Sequence, residues 1–240
     1  MKMQPQPTFH DGAAEDAIIL AGGAGTRLRL VVSDRPKVLA DVAGRPFLDM
    51  LIENLSAAGF KRIILSVGFM KDDIKGRYAQ TGGVLFAEEA TPLGTGGGAK
   101  HAVALAHGDD VLVMNGDSYV TGGVDLAAFR NFHKAKGADV TIMLARPRKE
   151  KDYGAVSVDR DGRIVRFSEK ADESGEHFMS AGIYFLKRSA FEKMPQGAFS
   201  IETDFFPKLV GKAFYGFVTD GEVVDIGTPE RYNLAQTKFA

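Results

Sequence analysis

The stretch Leu20-Ala21-Gly22-Gly23-Ala24-Gly25-Thr26-Arg27 constrains this chain more than any other. It follows the apolar run Ala17-Ile18-Ile19-Leu20 and precedes Arg35-Pro36-Lys37. A short apolar run that ends in glycine reads as a buried strand entering a tight loop. The closely spaced Gly22, Gly23 and Gly25 let the backbone turn sharply and come close to a ligand. Their N–H groups can converge on phosphate oxygens as an anion nest. Arg27 and Lys37 add two cations to the same region. On its own the loop is either a structural turn or a phosphate site. It is not a P-loop, because no Gly-Lys-Ser/Thr occurs, and Leu28 stands where a dinucleotide-binding pattern needs its third glycine.

Strands and helices alternate through the first half, as expected of a parallel sheet with crossover helices. Pro46 opens a helix where a missing N–H costs nothing. Phe47, Leu48, Leu51, Ile52 and Leu55 share one face of it, and Gly59 ends it. Strands are expected at Arg62–Val67 and Val84–Ala87, with a helix over Asp72–Gln80 between them. Pro92-Leu93-Gly94-Thr95-Gly96-Gly97-Gly98 reads as a second glycine-rich turn, leading into a helix over Ala99–Ala106. The apolar strand Val111–Met114 then ends in Asn115-Gly116-Asp117. Ligands of open α/β sheets bind outside the carboxyl ends of the strands, so the glycine loop and Asp117 can share one crevice.

The second half changes character. Val140–Ala145, Ala155–Val158, Arg163–Phe167 and Phe178–Leu186 read as strands with few helices between them, and Asp159-Arg160-Asp161-Gly162 is a hairpin signal. This half is expected to be a more antiparallel part of the same sheet that covers a second substrate. A last strand, Val223-Val224-Asp225, precedes a closing helix with Thr228 as its N-cap and Pro229 in first position. The organisation expected is a polar N-terminal tail over 1–15 and one α/β domain over 16–240.

A net charge of -1 over 240 residues argues against bulk nucleic-acid binding. No apolar run reaches the length of a membrane span, and Met1–Glu15 lacks a basic-then-apolar signal pattern. There is no cysteine, which excludes thiol catalysis, disulfides and Cys-ligated zinc and makes the cytoplasm the expected compartment. Asp117 and Asp225 each lie at the end of an apolar strand. Two such carboxylates without nearby histidine suit Mg²⁺, and each also suits a turn cap. Glu169-Lys170 is either an exposed charge pair or a carboxylate for sugar hydroxyls beside an ammonium for a phosphate.

Taken in order, these pieces resemble the sugar-1-phosphate nucleotidyltransferases. The resemblance is carried by Leu20–Leu28 with Pro36-Lys37-Val38-Leu39, Pro92–Gly96, Asn115-Gly116-Asp117, Tyr153-Gly154, Glu169-Lys170, Ala181-Gly182-Ile183-Tyr184 and Asp225-Ile226-Gly227-Thr228-Pro229. It spans nearly the whole chain from Ile18. Phe199-Ser200-Ile201-Glu202-Thr203-Asp204-Phe205 is most similar to the short guanylyltransferases acting on D-glycero-D-manno-heptose 1-phosphate, which serve capsule or surface-layer glycans. The resemblance implies a single-domain Rossmann-like fold, with a mixed, mostly parallel sheet flanked by helices and a smaller antiparallel sugar-binding part.

It also implies roles. Leu20, Ala21, Gly22, Gly23, Gly25, Thr26 and Arg27 would bind the nucleotide with Lys37, Glu89, Gly94, Thr95 and Asn115. Asn115, Gly154, Glu169, Lys170 and Gly182 would bind the sugar phosphate. Asp117 and Asp225 would hold Mg²⁺. Arg27, Lys37, Asp117, Lys170 and Asp225 would carry the chemistry. Glu89 falls where the family reads the base, with Glu88 adjacent. Guanine presents two neighbouring donors, N1–H and the N2 amino group, and a carboxylate can accept both. The partners implied are an NTP, with GTP favoured, and a sugar 1-phosphate, with a homodimer as the candidate assembly and no nucleic acid or membrane.

The second pKa of a sugar phosphate is about 6, so the substrate is mostly dianionic near neutral pH and attacks without a protein base. The protein's task is then to bring two polyanions together for in-line displacement at the α-phosphorus. Alternatives within the class are mannose 1-phosphate with GTP, or glucose 1-phosphate with CTP, UTP or dTTP. A regulatory subunit without chemistry would be expected to lack Lys37 or an aspartate. A dinucleotide-dependent oxidoreductase would want an acid at the end of the second strand, which here reads Ser66-Val67-Gly68.

Overall fold

A computed structural model describes residues 16–147, 153–168 and 177–240. The first half runs β1 (Asp16–Leu20), the short pair β2 (Asp41–Val42) and β3 (Arg45–Pro46), α1 (Phe47–Ala57), β4 (Arg62–Val67), α2 (Lys71–Tyr78), β5 (Val84–Glu88), α3 (Gly94–Ala102) and β6 (Asp110–Asn115). The second half runs β7 (Ser118–Val120), α4 (Leu126–Ala135), β8 (Val140–Ala145), β9 (Ala155–Val158), β10 (Ile164–Ser168), β11 (Phe178–Lys187) and α5 (Arg188–Glu192). It closes with β12 (Phe214–Val218), β13 (Val223–Asp225) and α6 (Pro229–Phe239).

The main sheet is parallel at one side, where β6, β1, β4 and β5 lie side by side. β11 runs antiparallel beside β6 and carries β8 on its other flank, and β8 pairs in parallel with β12. The β9–β10 hairpin joins the start of β11. The expected mixed, mostly parallel sheet with an antiparallel part is therefore present. β1 shows why its centre is buried on both faces. Ala17 and Ile19 pack with α1, α2 and α4, whereas Ile18 packs on the opposite face with α3, α5 and the segment from Phe199 to Phe214. Apolar residues at consecutive positions fit a parallel strand covered by helices on both sides.

The helix expected at Ala99–Ala106 begins earlier. α3 starts at Gly94 and takes in the glycines read as a turn, and it is followed by a 3₁₀ turn over Val103–Leu105. Packing outweighs the low helix propensity of glycine here. A Cβ on Gly96 would stand 2.0 Å from a carbon of the Phe199 ring, and one on Gly97 would stand 2.5 Å from the Gly197 carbonyl oxygen. Both Gly96 and Gly97 also donate their N–H to the Phe199 carbonyl. Pro46 caps α1 rather than entering it. The hairpin at Asp159 closes as expected, with Gly162 at φ +81 and its N–H donated to the Asp159 carbonyl at 3.0 Å. α4, α5 and β12 are additions to the sequence reading.

Helix propensity alone predicts that Gly96→Ala stabilises α3. The structure predicts the reverse, a loss of about 1–3 kcal/mol from overpacking against Phe199. That corresponds to a melting temperature lowered by about 2–10 °C. Thermal unfolding checks the sign, and a Phe199→Leu background should shrink the loss.

Candidate nucleotide and sugar-phosphate site

The carboxyl ends of the parallel strands are level with one another. Leu20 at the end of β1 is in register with Ser66 of β4 on one side and Asn115 of β6 on the other. A crevice of about 560 Å³ opens above them. Its walls are 20–24, Lys37 and Val38, Gly68 and Phe69, 89–92, Gly94 and Thr95, and 115–117.

The glycine loop is anchored at its start. Ala21 N–H donates to the Ser66 carbonyl at 2.8 Å, and Phe69 N–H donates to the Gly22 carbonyl at 3.1 Å. Beyond that, no backbone N–H from Gly22 through Arg27 donates to another described residue. Such a run of unpaired donors, next to the partly buried cation of Lys37, is an anion-binding concavity. Gly25 has φ +59, and a Cβ there would stand 2.8 Å from Cβ of Lys37. Gly25 thus turns the chain and leaves room for the Lys37 stem.

Lys37 is placed by a 3₁₀ turn whose Val38 and Leu39 are buried. Its ammonium donates to Asp117 Oδ2, and Ser118 Oγ donates to Oδ1 at 3.1 Å. Burial alone would push the Asp117 carboxyl upward. The Lys37 charge and its hydrogen bond outweigh that and hold it below the usual carboxylate value. β7 and β13 pair antiparallel with Ser118 opposite Asp225, and Ile226 N–H donates to the Asp117 carbonyl at 3.0 Å. One small ribbon therefore carries both aspartates. Asp225 is nearly buried. Its Oδ1 accepts from Gly227 N–H at 2.9 Å and from Arg231 at 3.4 Å.

Glu89 and its neighbour Glu88 point to different places. Glu88 is exposed and paired with Lys71 at 3.0 Å and Lys75 at 2.5 Å. Glu89 lines the crevice, accepting from Ser66 Oγ at 2.8 Å and from Leu93 N–H at 2.9 Å. Thr95 also lines the crevice, but its hydroxyl donates to Glu202 at 2.6 Å and accepts from Ile201 N–H at 3.0 Å. Glu202 additionally accepts from Ser200 Oγ at 3.0 Å and from Tyr184 at 3.2 Å. Burial first and Glu202 second hold the Tyr184 phenol well above its usual range.

β11 breaks register between Ser180 and Tyr184. Gly182 sits in that irregularity at φ +72, so close to Asn115 that a Cβ would stand 2.8 Å from Nδ2. Asn115 Oδ1 is buried with no hydrogen-bond partner among the described residues. An orphaned acceptor of this kind calls for a donor from outside the chain.

The structure thus gathers Leu20, Ala21, Gly22, Gly23, Lys37, Glu89, Gly94, Thr95, Asn115 and Asp117 around one crevice, with Gly182 against it. Gly25, Thr26, Arg27 and Asp225 lie outside its lining; Thr26 and Arg27 are exposed, and Arg27 reaches toward Gly227 beside Asp225. Gly154 packs instead near Ser180 and Phe167. Glu169 and Lys170 lie outside the described residues. The sequence reading missed Ser66, Phe69 and Glu202. Ser66 is a polar residue inside an apolar run, and that was its only signal; Glu202 lies within the Phe199–Phe205 stretch but among polar neighbours that do not single it out.

The sequence model of the family described as "Nucleotidyl transferase" matches residues 16–240. The chain is 34% identical over 225 residues to a mannose-1-phosphate guanylyltransferase of Mycobacterium tuberculosis, a match covering 90% of this chain and 62% of that protein. It is 36% identical over 229 residues to the D-glycero-alpha-D-manno-heptose 1-phosphate guanylyltransferase of Aneurinibacillus thermoaerophilus, covering 93% of this chain and 98% of that protein. The crystal structure of HddC from Yersinia pseudotuberculosis complexed with GMP-PN superposes with a TM-score of 0.81 at 36% identity, over 94% of this chain and 100% of that one.

The Lys37–Asp117 pair has a pH signature. A carboxyl whose folded pKa is depressed adds stability above its unfolded value of 3.8, and loses it as the pH falls through the lowered folded value. Lys37→Met should leave Asp117 without its cation and cost about 1–3 kcal/mol near neutral pH, scaled down for partial exposure. The deficit should shrink on acidification as Asp117 takes up a proton. Thermal unfolding of both proteins across the acid range checks this, and a deficit that is constant with pH contradicts it.

Proposed function

The chain belongs to the nucleotidyl transferase family, and from that premise we propose that it condenses GTP with D-glycero-D-manno-heptose 1-phosphate, releasing GDP-heptose and pyrophosphate for capsule or surface polysaccharide. The observation that carries the reading is the crevice itself. Unpaired loop N–H groups and Lys37 lie at its centre, the Glu89 carboxylate at one end and the orphaned Asn115 Oδ1 at the other. The near-complete match to the heptose enzyme, 98% of its length, supports the sugar assignment. The guanylyltransferase relatives and the GMP-PN complex of HddC support the nucleotide.

An oxygen of the sugar phosphate attacks the α-phosphorus of GTP. A new O–P bond forms as the bond to the bridging α–β oxygen breaks, and pyrophosphate carries that oxygen away. The N–H groups of Gly22 to Arg27 hold the triphosphate, with Lys37 against the phosphates nearest the reacting phosphorus and Arg27 at the rim. Lys170 takes the sugar phosphate and Glu169 the sugar hydroxyls. Asn115 accepts from a sugar hydroxyl, and Gly182 lets that hydroxyl approach. Positioning and fixed charge do the work, and no protein base is required.

Asp117 and Asp225 fit Mg²⁺ in donor chemistry. Both supply hard carboxylate oxygens from one ribbon, and Mg²⁺ is commonly held by one or two carboxylates plus substrate phosphates. Bound there, the ion would neutralise triphosphate charge and polarise the phosphoryl group. Among the described residues no helix is long and apolar enough to cross a membrane, and the lack of cysteine supports a cytoplasmic setting.

Mannose 1-phosphate with GTP is the second reading, favoured by the 34% identity to the mycobacterial enzyme, of whose length this chain spans 62%. Pyrophosphate release with GTP, CTP, UTP and dTTP against heptose, mannose and glucose 1-phosphates separates the readings. GTP with heptose 1-phosphate should give the highest kcat/KM, and a clear preference for another pair replaces the assignment. Asp117→Asn and Asp225→Asn should each lower turnover by at least about a hundredfold with the circular-dichroism spectrum retained. Full activity in either removes that residue from the metal site.

A further inference from the structure

Strand β4 is apolar through Ile63, Ile64, Leu65 and Val67, and Ser66 interrupts it with a hydroxyl that is 0% exposed. Burying a hydroxyl is unfavourable unless it is hydrogen-bonded. The Ser66 hydroxyl has one acceptor, Glu89 Oε1 at 2.8 Å, while Leu93 N–H holds Oε2 at 2.9 Å. Two glycines close in on the same carboxylate. A Cβ on Gly22 would stand 2.6 Å from Oε1, and a Cβ on Gly98 would stand 2.9 Å from Oε1 and 3.0 Å from Ser66 Oγ. The carboxylate is therefore gripped at both oxygens and walled by the phosphate loop and by α3. Each of its oxygens offers about two acceptor sites. The protein uses one on each, which leaves a matched pair of acceptors on a residue that lines the crevice.

We propose that Ser66 is a positioning residue that sets base selectivity. Through Glu89, it holds the carboxylate in the rotation at which both oxygens meet the adjacent N1–H and N2–H donors of guanine. Ser66 itself does not touch the base. The inference rests on the reading of Glu89 as the guanine acceptor. Without the Ser66 hydroxyl, Oε1 loses its fixed donor and the carboxylate turns about its last torsion. Binding guanine at both oxygens must then order a group that was free, and ordering on binding lowers affinity.

Hypoxanthine keeps N1–H and lacks the N2 amino group, so ITP isolates the second hydrogen bond. The measurement is the ratio of dissociation constants, ITP over GTP, by titration calorimetry on the full chain, which needs no sugar acceptor. The wild type should favour GTP. Glu89→Ala should collapse the preference. Ser66→Ala should reduce it by about tenfold, the scale of one charge-assisted hydrogen bond, and should reduce it no further in a Glu89→Ala background. Gly98→Ala, whose methyl crowds both Oε1 and Ser66 Oγ, should shift the ratio the same way and serves where Ser66→Ala folds poorly. If Glu89→Ala moves the ratio while Ser66→Ala and Gly98→Ala leave it alone, Ser66 is structural only and the proposal is overturned. An equal fall on Ser66→Ala with and without Glu89 overturns it too. A wild type that binds GTP and ITP equally, or a Glu89→Ala variant with the wild-type ratio, overturns the reading of Glu89 itself and this proposal with it.

Discussion

The parallel pairing of β1 between β4 and β6 is the constraint on which the site depends. That register sets Leu20 level with Ser66 and with Asn115. The glycine loop leaves the sheet at that level, so everything it can reach is fixed by what ends the neighbouring strands. To one side lies the Ser66 hydroxyl and, through it, Glu89. To the other lies the Asn115 amide and, one turn further, Asp117. A slip of one residue in β1 would send Ile18 to the face of Ile19 and move the loop off both neighbours. The double-sided apolar packing of Ala17, Ile18 and Ile19 makes such a slip costly, so the core that stabilises the fold also aligns the site.

Charge in and beside the crevice is balanced within the chain. Lys37 is held on Asp117, and Arg231 and the Gly227 N–H hold Asp225. Neither carboxylate is left as an isolated buried charge, the arrangement that burial penalises most. The same pairing presents Lys37 beside the unpaired N–H groups of the loop. A polyanion entering the crevice therefore meets cations and donors already in place, with little reorganisation at the moment of reaction.

What was legible in the sequence was what sits together along the chain. The glycine loop, the aspartate after β6 and the closing Gly-Thr-Pro turn each announce themselves in a few consecutive residues. Strands such as Val140–Ala145 and Val223–Asp225 are bounded runs of β-formers, and their limits were readable to the residue. α4 escaped because its buried face includes Arg130 and His133, so charge masked the apolar period. α3 escaped because Gly96 and Gly97 speak against a helix until Phe199 and Gly197 are set against them. In the site, Ser66 and Glu202 act across 23 and 107 residues of sequence, through contacts that only the fold creates.

The two ends of the crevice differ in how they can discriminate. At the end proposed to take the base, the Glu89 carboxylate already carries its protein hydrogen bonds and keeps one acceptor on each oxygen. A site built in this way rejects a ligand that lacks a donor, because an aligned acceptor is then left unpaired in a partly desolvated place. At the end proposed to take the sugar, Asn115 Oδ1 is buried without a partner among the described residues, beside the left-handed Gly182 turn. A ligand that brings a donor to that acceptor satisfies it. A hydroxyl-rich sugar offers several such donors. On the proposed reading, the base end therefore selects by a preformed fit and the sugar end by satisfying an unmet hydrogen bond.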